Sequence, residues 1–126
     1  MIHGTGVDII EISRIKKSMD RYAGKFEEKI FTQQEIEYCR SKADPCKHFA
    51  GRFAAKEAIL KSLGTGMAQG ISWKDMEILN QESGAPVLQI TGGGKAVFDS
   101  LNLKNIHISI SHDKLYAIAQ AVAELK

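Results

Sequence analysis

The sequence predicts an α+β fold in which an antiparallel sheet packs on one long central helix. Three observations carry that expectation. Helix-period patterns dominate the first half of the 126 residues, and strand-period patterns dominate the second half. One helical run near the middle is much longer than its neighbours, and the regular strand–helix–strand alternation of a parallel α/β fold is absent.

The chain opens on a strand over residues 2–9, with glycines at its start and Val7, Ile9 and Ile10 around its end. A helix follows over 11–22, with Ile12, Ile15, Met19 and Tyr22 on one stripe. Gly24 interrupts it, and residues 25–30 form a second short helix. Thr32-Gln33-Gln34-Glu35 is a capping-box pattern that starts a third helix over 33–41. Asp44-Pro45 breaks the chain and opens the central helix, 46–63, which Gly64 ends. Residues 64–70 read as a loop. Strands are expected over 71–80 and 86–91, around the turn Ser83-Gly84-Ala85-Pro86. A helix over 93–102 follows Gly92-Gly93-Gly94, and residues 106–111 and 115–122 alternate as a hairpin. No repeat or linker divides the chain, so one domain is expected over 1–126.

Composition narrows the function classes. Charged residues make up 25% of the chain and leave a net charge of only +2, which speaks against a dedicated nucleic-acid binder and against disorder. No apolar run reaches membrane-spanning length and the N-terminus has no signal pattern, which reads as a cytoplasmic protein. Cys39 and Cys46 are the only cysteines, and they are expected to be free thiols.

Two acids interrupt apolar patterns. Glu57 shares a helix face with Phe49, Phe53, Leu60 and Leu63, and Asp8 sits among Val7, Ile9 and Ile10. A carboxylate on a buried face is paired, protonated or metal-bound, so these two acids could hold one divalent cation. Plainer roles are open as well: Glu57 could pair with Lys61 four residues on, and Asp8 could cap the first helix. Arg52, Lys56 and Lys61 add cations to the same segment. A metal with several cations is equipment for handling a polyphosphate. The first helix presents Arg14, Lys17 and Arg21 as a basic ridge that could dock an acidic partner helix, or face solvent. Ser111-His112-Asp113 is not a hydrolase triad, because three consecutive residues cannot reach relay geometry; it reads as a polar turn. His107, Ser109 and Ser111 share the polar face of their strand. Neither glycine-rich stretch has a nucleotide-loop arrangement.

Three segments together resemble the holo-acyl-carrier-protein synthase family. They are Gly6-Val7-Asp8-Ile9-Ile10-Glu11-Ile12-Ser13-Arg14-Ile15, then Phe49–Ala58 with Lys61 and Gly64-Thr65-Gly66, and finally Ile106–His112. The resemblance spans nearly the whole chain. It implies a 4′-phosphopantetheinyl transferase-like fold and transfer of phosphopantetheine from coenzyme A to a serine of apo acyl carrier protein, in support of fatty acid biosynthesis. Adenosine 3′,5′-bisphosphate is the implied second product. By the same resemblance Asp8 and Glu57 are the Mg2+ ligands, and Lys61 contacts phosphate and is catalytic with them. Arg52, Lys56, His107, Pro86 and the Gly64, Thr65, Gly66 turn lie along coenzyme A. Arg14, Met19, Arg21, Lys25 and Phe26 meet the carrier protein. The family resemblance also implies a homotrimer with active sites shared between subunits. Ala85 stands where the family commonly has a cation, and the segment Ser18–Phe26 is one residue longer than in some relatives. The competing readings are a non-catalytic binding module, which would not need the ion, and a metal-dependent phosphohydrolase, which would not need a carrier.

Overall fold

The structure is a computed structural model describing residues 1–126. It comprises β1 (Ile2–Glu11), α1 (Ile12–Tyr22), α2 (Lys25–Ile30), α3 (Gln33–Arg40), α4 (Pro45–Leu63), β2 (Met76–Asn80), β3 (Pro86–Ile90), α5 (Gly92–Ser100), β4 (Leu103–His112) and β5 (Tyr116–Leu125). The strands form an antiparallel three-stranded sheet in the order β1-β5-β4 and a separate antiparallel pair, β2-β3. Helix α4 lies along the inner face of the larger sheet.

Strand alternation explains why that helix comes so close. Ala117, Ala119, Ala121 and Ala123 of the central strand β5 all point inward and are buried. On β1, Gly4 and Gly6 point the same way. A Cβ at Gly6 would overlap the carbonyl oxygen of Ala58, and one at Gly4 would overlap that of Ser62. Small residues on both strands therefore seat α4 almost directly on the sheet backbone. Ile59, Leu60 and Leu63 join this sheet core with Met76, Ile78, Leu103 and Ile106. A second core gathers Ile12, Ile15, Ile30, Phe31, Ile36, Cys39 and Phe49 between the first four helices. Both cysteines are free, and burial pushes the Cys39 thiol up to about 12.

The two cores meet around an ion pair that is absent from the sequence reading. Lys56 Nζ lies 2.7 Å from Glu35 Oε1, and neither side chain has any exposure. The same ammonium donates to the carbonyls of Ile30 at 2.8 Å and Trp73 at 3.2 Å. Glu35 completes the knot by accepting from the backbone of Thr32 and Ile78. Charges this deep persist only when their hydrogen-bonding capacity is filled, and here it is. Burial lowers the Lys56 pKa and the Glu35 charge opposes that shift.

Most expected elements are present, with two shifts. The strand expected over 71–80 starts only at Met76. Before it, Trp73–Asp75 forms a 3-10 turn, because the Asp75 carboxylate accepts from the N–H groups of Ser72 at 2.9 Å and Gly94 at 3.0 Å. Such local bonds outcompete a strand ladder. The hairpin strands β4 and β5 extend beyond 106–111 and 115–122 at their open ends. Of the expected polar turn Ser111-His112-Asp113, only Asp113 lies between the strands, because Ser111 and His112 pair with β5 as the end of β4. Asp113 Oδ1 accepts from Leu115 N and Tyr116 N at 2.8 and 2.7 Å.

Gly6→Ala should cost about 1–3 kcal/mol of stability, read from urea unfolding, because β1 must retreat from α4. Lys56→Ala should cost about 3–5 kcal/mol by stranding the Glu35 carboxylate. Much of that loss should return in the double substitution Lys56→Met with Glu35→Leu.

Candidate active site

The alternation that points Gly4 and Gly6 at α4 points Asp8 the same way, two residues further along β1. Asp8 does not cap α1. The capping position is Glu11, whose side chain makes no capping bond. Lys61, on the last turn of α4, reaches across to β1 and donates to Asp8 Oδ1 at 3.2 Å and to the Val7 carbonyl at 2.9 Å. It thereby spans to the strand and forms no ion pair with Glu57. Both plain alternatives for the acids are set aside by these contacts.

Asp8 and Glu57 line one depression of about 310 Å³, together with Ile9, Ile10, Arg14, Ile15, Ser18, Phe26 and Phe53. Glu57 is half-buried there. Burial holds its carboxyl above the usual glutamate range, the Asp8 charge raises it further, and Lys61 offsets part of the effect. Two carboxylates thus share a partly desolvated space, with Lys61 paired to Asp8 and Arg14 on the rim as the neighbouring cations. No third acid, histidine or cysteine joins them in a ligand cluster. This donor set fits a hard divalent cation such as Mg2+, which takes one or two carboxylates and fills its remaining positions with substrate oxygens and water. The absence of imidazole and thiolate donors argues against a zinc-type site.

Arg14 and Phe26 border the acids, whereas Met19, Arg21 and Lys25 do not line the depression. Arg21 packs over the Tyr22 ring, and Met19 packs against the helical core. The basic ridge Arg14, Lys17, Arg21 is exposed along α1 and leads away from the depression.

A second, smaller cavity of about 150 Å³ is lined by Tyr38, His48, Gly51, Arg52, Asn80, Gly84, Pro86, Ile110 and His112. It brings Arg52 and Pro86 together. Tyr38, His48 and Asn80 had no sequence signal, and His112, although it ends the family-like segment Ile106–His112, had none that marked it as their neighbour. Lys56 corrects the expectation that it lies along coenzyme A: it is fully buried and its ammonium is used inside the protein. His107 lies elsewhere, exposed on the outer face of the large sheet, where its Nε2 pairs with Glu124 Oε1 at 3.0 Å. The hydrogen bond from His107 holds the Glu124 carboxyl below its ordinary range. Gly64 ends α4 at φ 81°, and the Gly64, Thr65, Gly66 turn lines neither cavity.

Residues 4–121 match the family model of the 4′-phosphopantetheinyl transferase superfamily. The chain belongs to this superfamily. Among its relatives, the holo-[acyl-carrier-protein] synthase of Geobacter sp. (strain M21) is 47% identical over 124 residues, 98% of this chain and 99% of the relative. That of Thermoanaerobacter sp. (strain X514) is 50% identical over 118 residues, 94% of this chain and 84% of the relative. The fold is that of solved holo-[acyl-carrier-protein] synthases. The Helicobacter pylori enzyme, crystallised in complex with coenzyme A, superposes with a TM-score of 0.85 at 35% identity, covering 95% of this chain and 99% of that one. The Neisseria meningitidis enzyme gives a TM-score of 0.92 at 28% identity, covering 98% and 99%. In this chain Asp8 and Glu57 sit where the first strand meets the long helix. No helix is long and apolar enough to cross a membrane.

Asp8→Asn should lower the Glu57 pKa without restoring the ordinary value, because burial, the larger cause, remains; carboxyl NMR titration measures this. Mg2+ affinity should be full above the raised Glu57 pKa and fall as pH drops through it, since protons then compete for the carboxylate. Calorimetric titration of Mg2+ across pH checks the direction, and Glu57→Gln should flatten the dependence.

Proposed function

We propose that this protein transfers the 4′-phosphopantetheine group from coenzyme A to a serine hydroxyl of an apo acyl carrier protein. The observation that carries the reading is the convergence of Asp8 and Glu57 with Arg14 and Phe26 in one depression. In support of it, two carboxylates lie beside a basic and apolar rim, in a chain whose relatives are holo-[acyl-carrier-protein] synthases.

In this reading Asp8 and Glu57 hold Mg2+, which supplies charge neutralisation at the pyrophosphate of coenzyme A. Lys61 fixes the Asp8 carboxylate and adds positive charge to the same place. The serine oxygen forms a bond to the phosphorus that bears pantetheine. The bond from that phosphorus to the bridging oxygen breaks, adenosine 3′,5′-bisphosphate leaves with the electron pair, and the serine proton is lost. Arg52 and Pro86 take the nucleotide end of coenzyme A. Arg14 meets acidic groups of the carrier protein, Phe26 packs beside it, and Arg21, Lys25 and Met19 extend the contact along α1 and the start of α2. The biological setting is fatty acid biosynthesis in the cytoplasm.

We also read the working form as a homotrimer with shared sites. Two features support this. The outer face of the large sheet leaves Val7 56%, Ile9 62% and Ile118 41% exposed, a patch that a second copy would cover. The depression holding the acids and the cavity holding Arg52 share no lining residue, so a substrate reaching from one copy to the next would use both.

Incubation with apo acyl carrier protein, coenzyme A and Mg2+ should add about 340 Da to the carrier by intact mass, with no gain in EDTA or with Glu57→Ala. Cleavage of coenzyme A without a carrier mass gain would point to a phosphohydrolase; no reaction at all would leave a binding module. Arg14→Ala should weaken carrier binding about tenfold at low salt and by less at high salt, measured by surface plasmon resonance.

A further inference from the structure

Arg52 is a buried guanidinium without a carboxylate partner. It is 4% exposed, its Nη2 donates to the neutral Asn80 amide at 2.6 Å, and its Nε donates to nothing. The Tyr38 ring covers it, with 4.1 Å from the guanidinium carbon to the ring centre. A buried charge in this state calls for an anion. No aspartate or glutamate lines its cavity, but His48 and His112 both do. Their rings meet edge-on with 5.3 Å between centroids, and His48 also meets Tyr38 at 6.0 Å. Three groups able to carry positive charge therefore converge on one small cavity.

His48 is surrounded as follows. Tyr38 faces it from α3, Lys42 from the turn before α4, Arg52 from α4 itself and His112 from β4, while Asp44 lies at the start of α4. Burial lowers the His48 pKa most. His112, Lys42 and Arg52 lower it further and Asp44 opposes them, so the free imidazole is held toward its neutral form. A dianion in the cavity reverses that balance.

We propose that His48 is a phosphate-binding residue of this cavity and takes up a proton when a phosphate monoester is seated against Arg52 and His112. The inference rests on the transfer reading, in which the 3′-phosphate of coenzyme A is the monoester and the pyrophosphate lies at the acids. The proton comes from solvent, and no bond to phosphorus changes. Binding of the monoester strengthens as pH falls toward the phosphate's own second pKa of about 6, below which the dianion is lost.

Imidazole NMR titration of the whole protein tests this, with the His48 signal assigned through His48→Phe. Coenzyme A should raise the His48 midpoint by about one pH unit or more. Dephospho-coenzyme A, which lacks the monoester, should leave it near the free value. His48→Phe keeps the aromatic edge contacts; it should weaken coenzyme A binding about tenfold near pH 6.5 and leave dephospho-coenzyme A unaffected. An unmoved His48 midpoint in a saturated coenzyme A complex would overturn the inference alone, as would an equal rise with dephospho-coenzyme A. Failure of the wild-type protein to bind coenzyme A would instead overturn the transfer reading, and this inference with it.

Discussion

The main chain of β1 rests against the main chain of α4 because Gly4 and Gly6 have no side chain to hold them apart. The alanines of β5 extend the same close approach across the sheet. Everything at the candidate site follows from this seam. Asp8 continues the inward face of β1 past the two glycines, at the level where Glu57 and Lys61 emerge from α4. With bulkier residues on the strand, the two carboxylates would sit in separate surroundings. Neither would then feel the other's charge, and the mutual repulsion that a divalent cation relieves would be absent.

The helix is fixed from its other side by the Lys56–Glu35 pair. That knot ties α4 to α3, to the end of α2, to the 3-10 turn and to β2 through hydrogen bonds of defined direction. Apolar packing alone would tolerate small rotations of α4. A saturated ammonium in a dry interior does not, since any rotation strands a charge. Adjacent residues thus divide two tasks: Lys56 sets the helix rotation, and Glu57 uses it to face the depression.

The surface is electrostatically polarised on a small scale despite the near-balanced net charge. One depression gathers two carboxylates with Arg14 and Lys61 beside them, and the other cavity gathers Arg52 and two histidines with no carboxylate. In the proposed reading, the pyrophosphate and the phosphate monoester of one substrate would occupy these two places. The exposed apolar face of the sheet supports the proposed meeting of copies of the chain.

Local signals in the sequence determined the elements: the glycine stops, the Thr32–Glu35 capping box, and the alternation that turned Asp8 inward and His107 outward. They also marked Glu57 as an acid out of place, and the order of three motifs was enough to indicate the family. What the sequence could not determine was pairing. Lys56 and Lys61 look alike along one helix, yet one is sealed beside Glu35, 21 residues away, and the other reaches Asp8, 53 residues away. Nothing in the sequence pairs His48 with His112, the end of the third family-like segment, until α4 and β4 bring them edge to edge. Periodicity encodes which face a residue occupies. Only tertiary packing decides which opposing face it meets, and for a charged or titratable group that neighbour, through desolvation and Coulomb energy, decides its role.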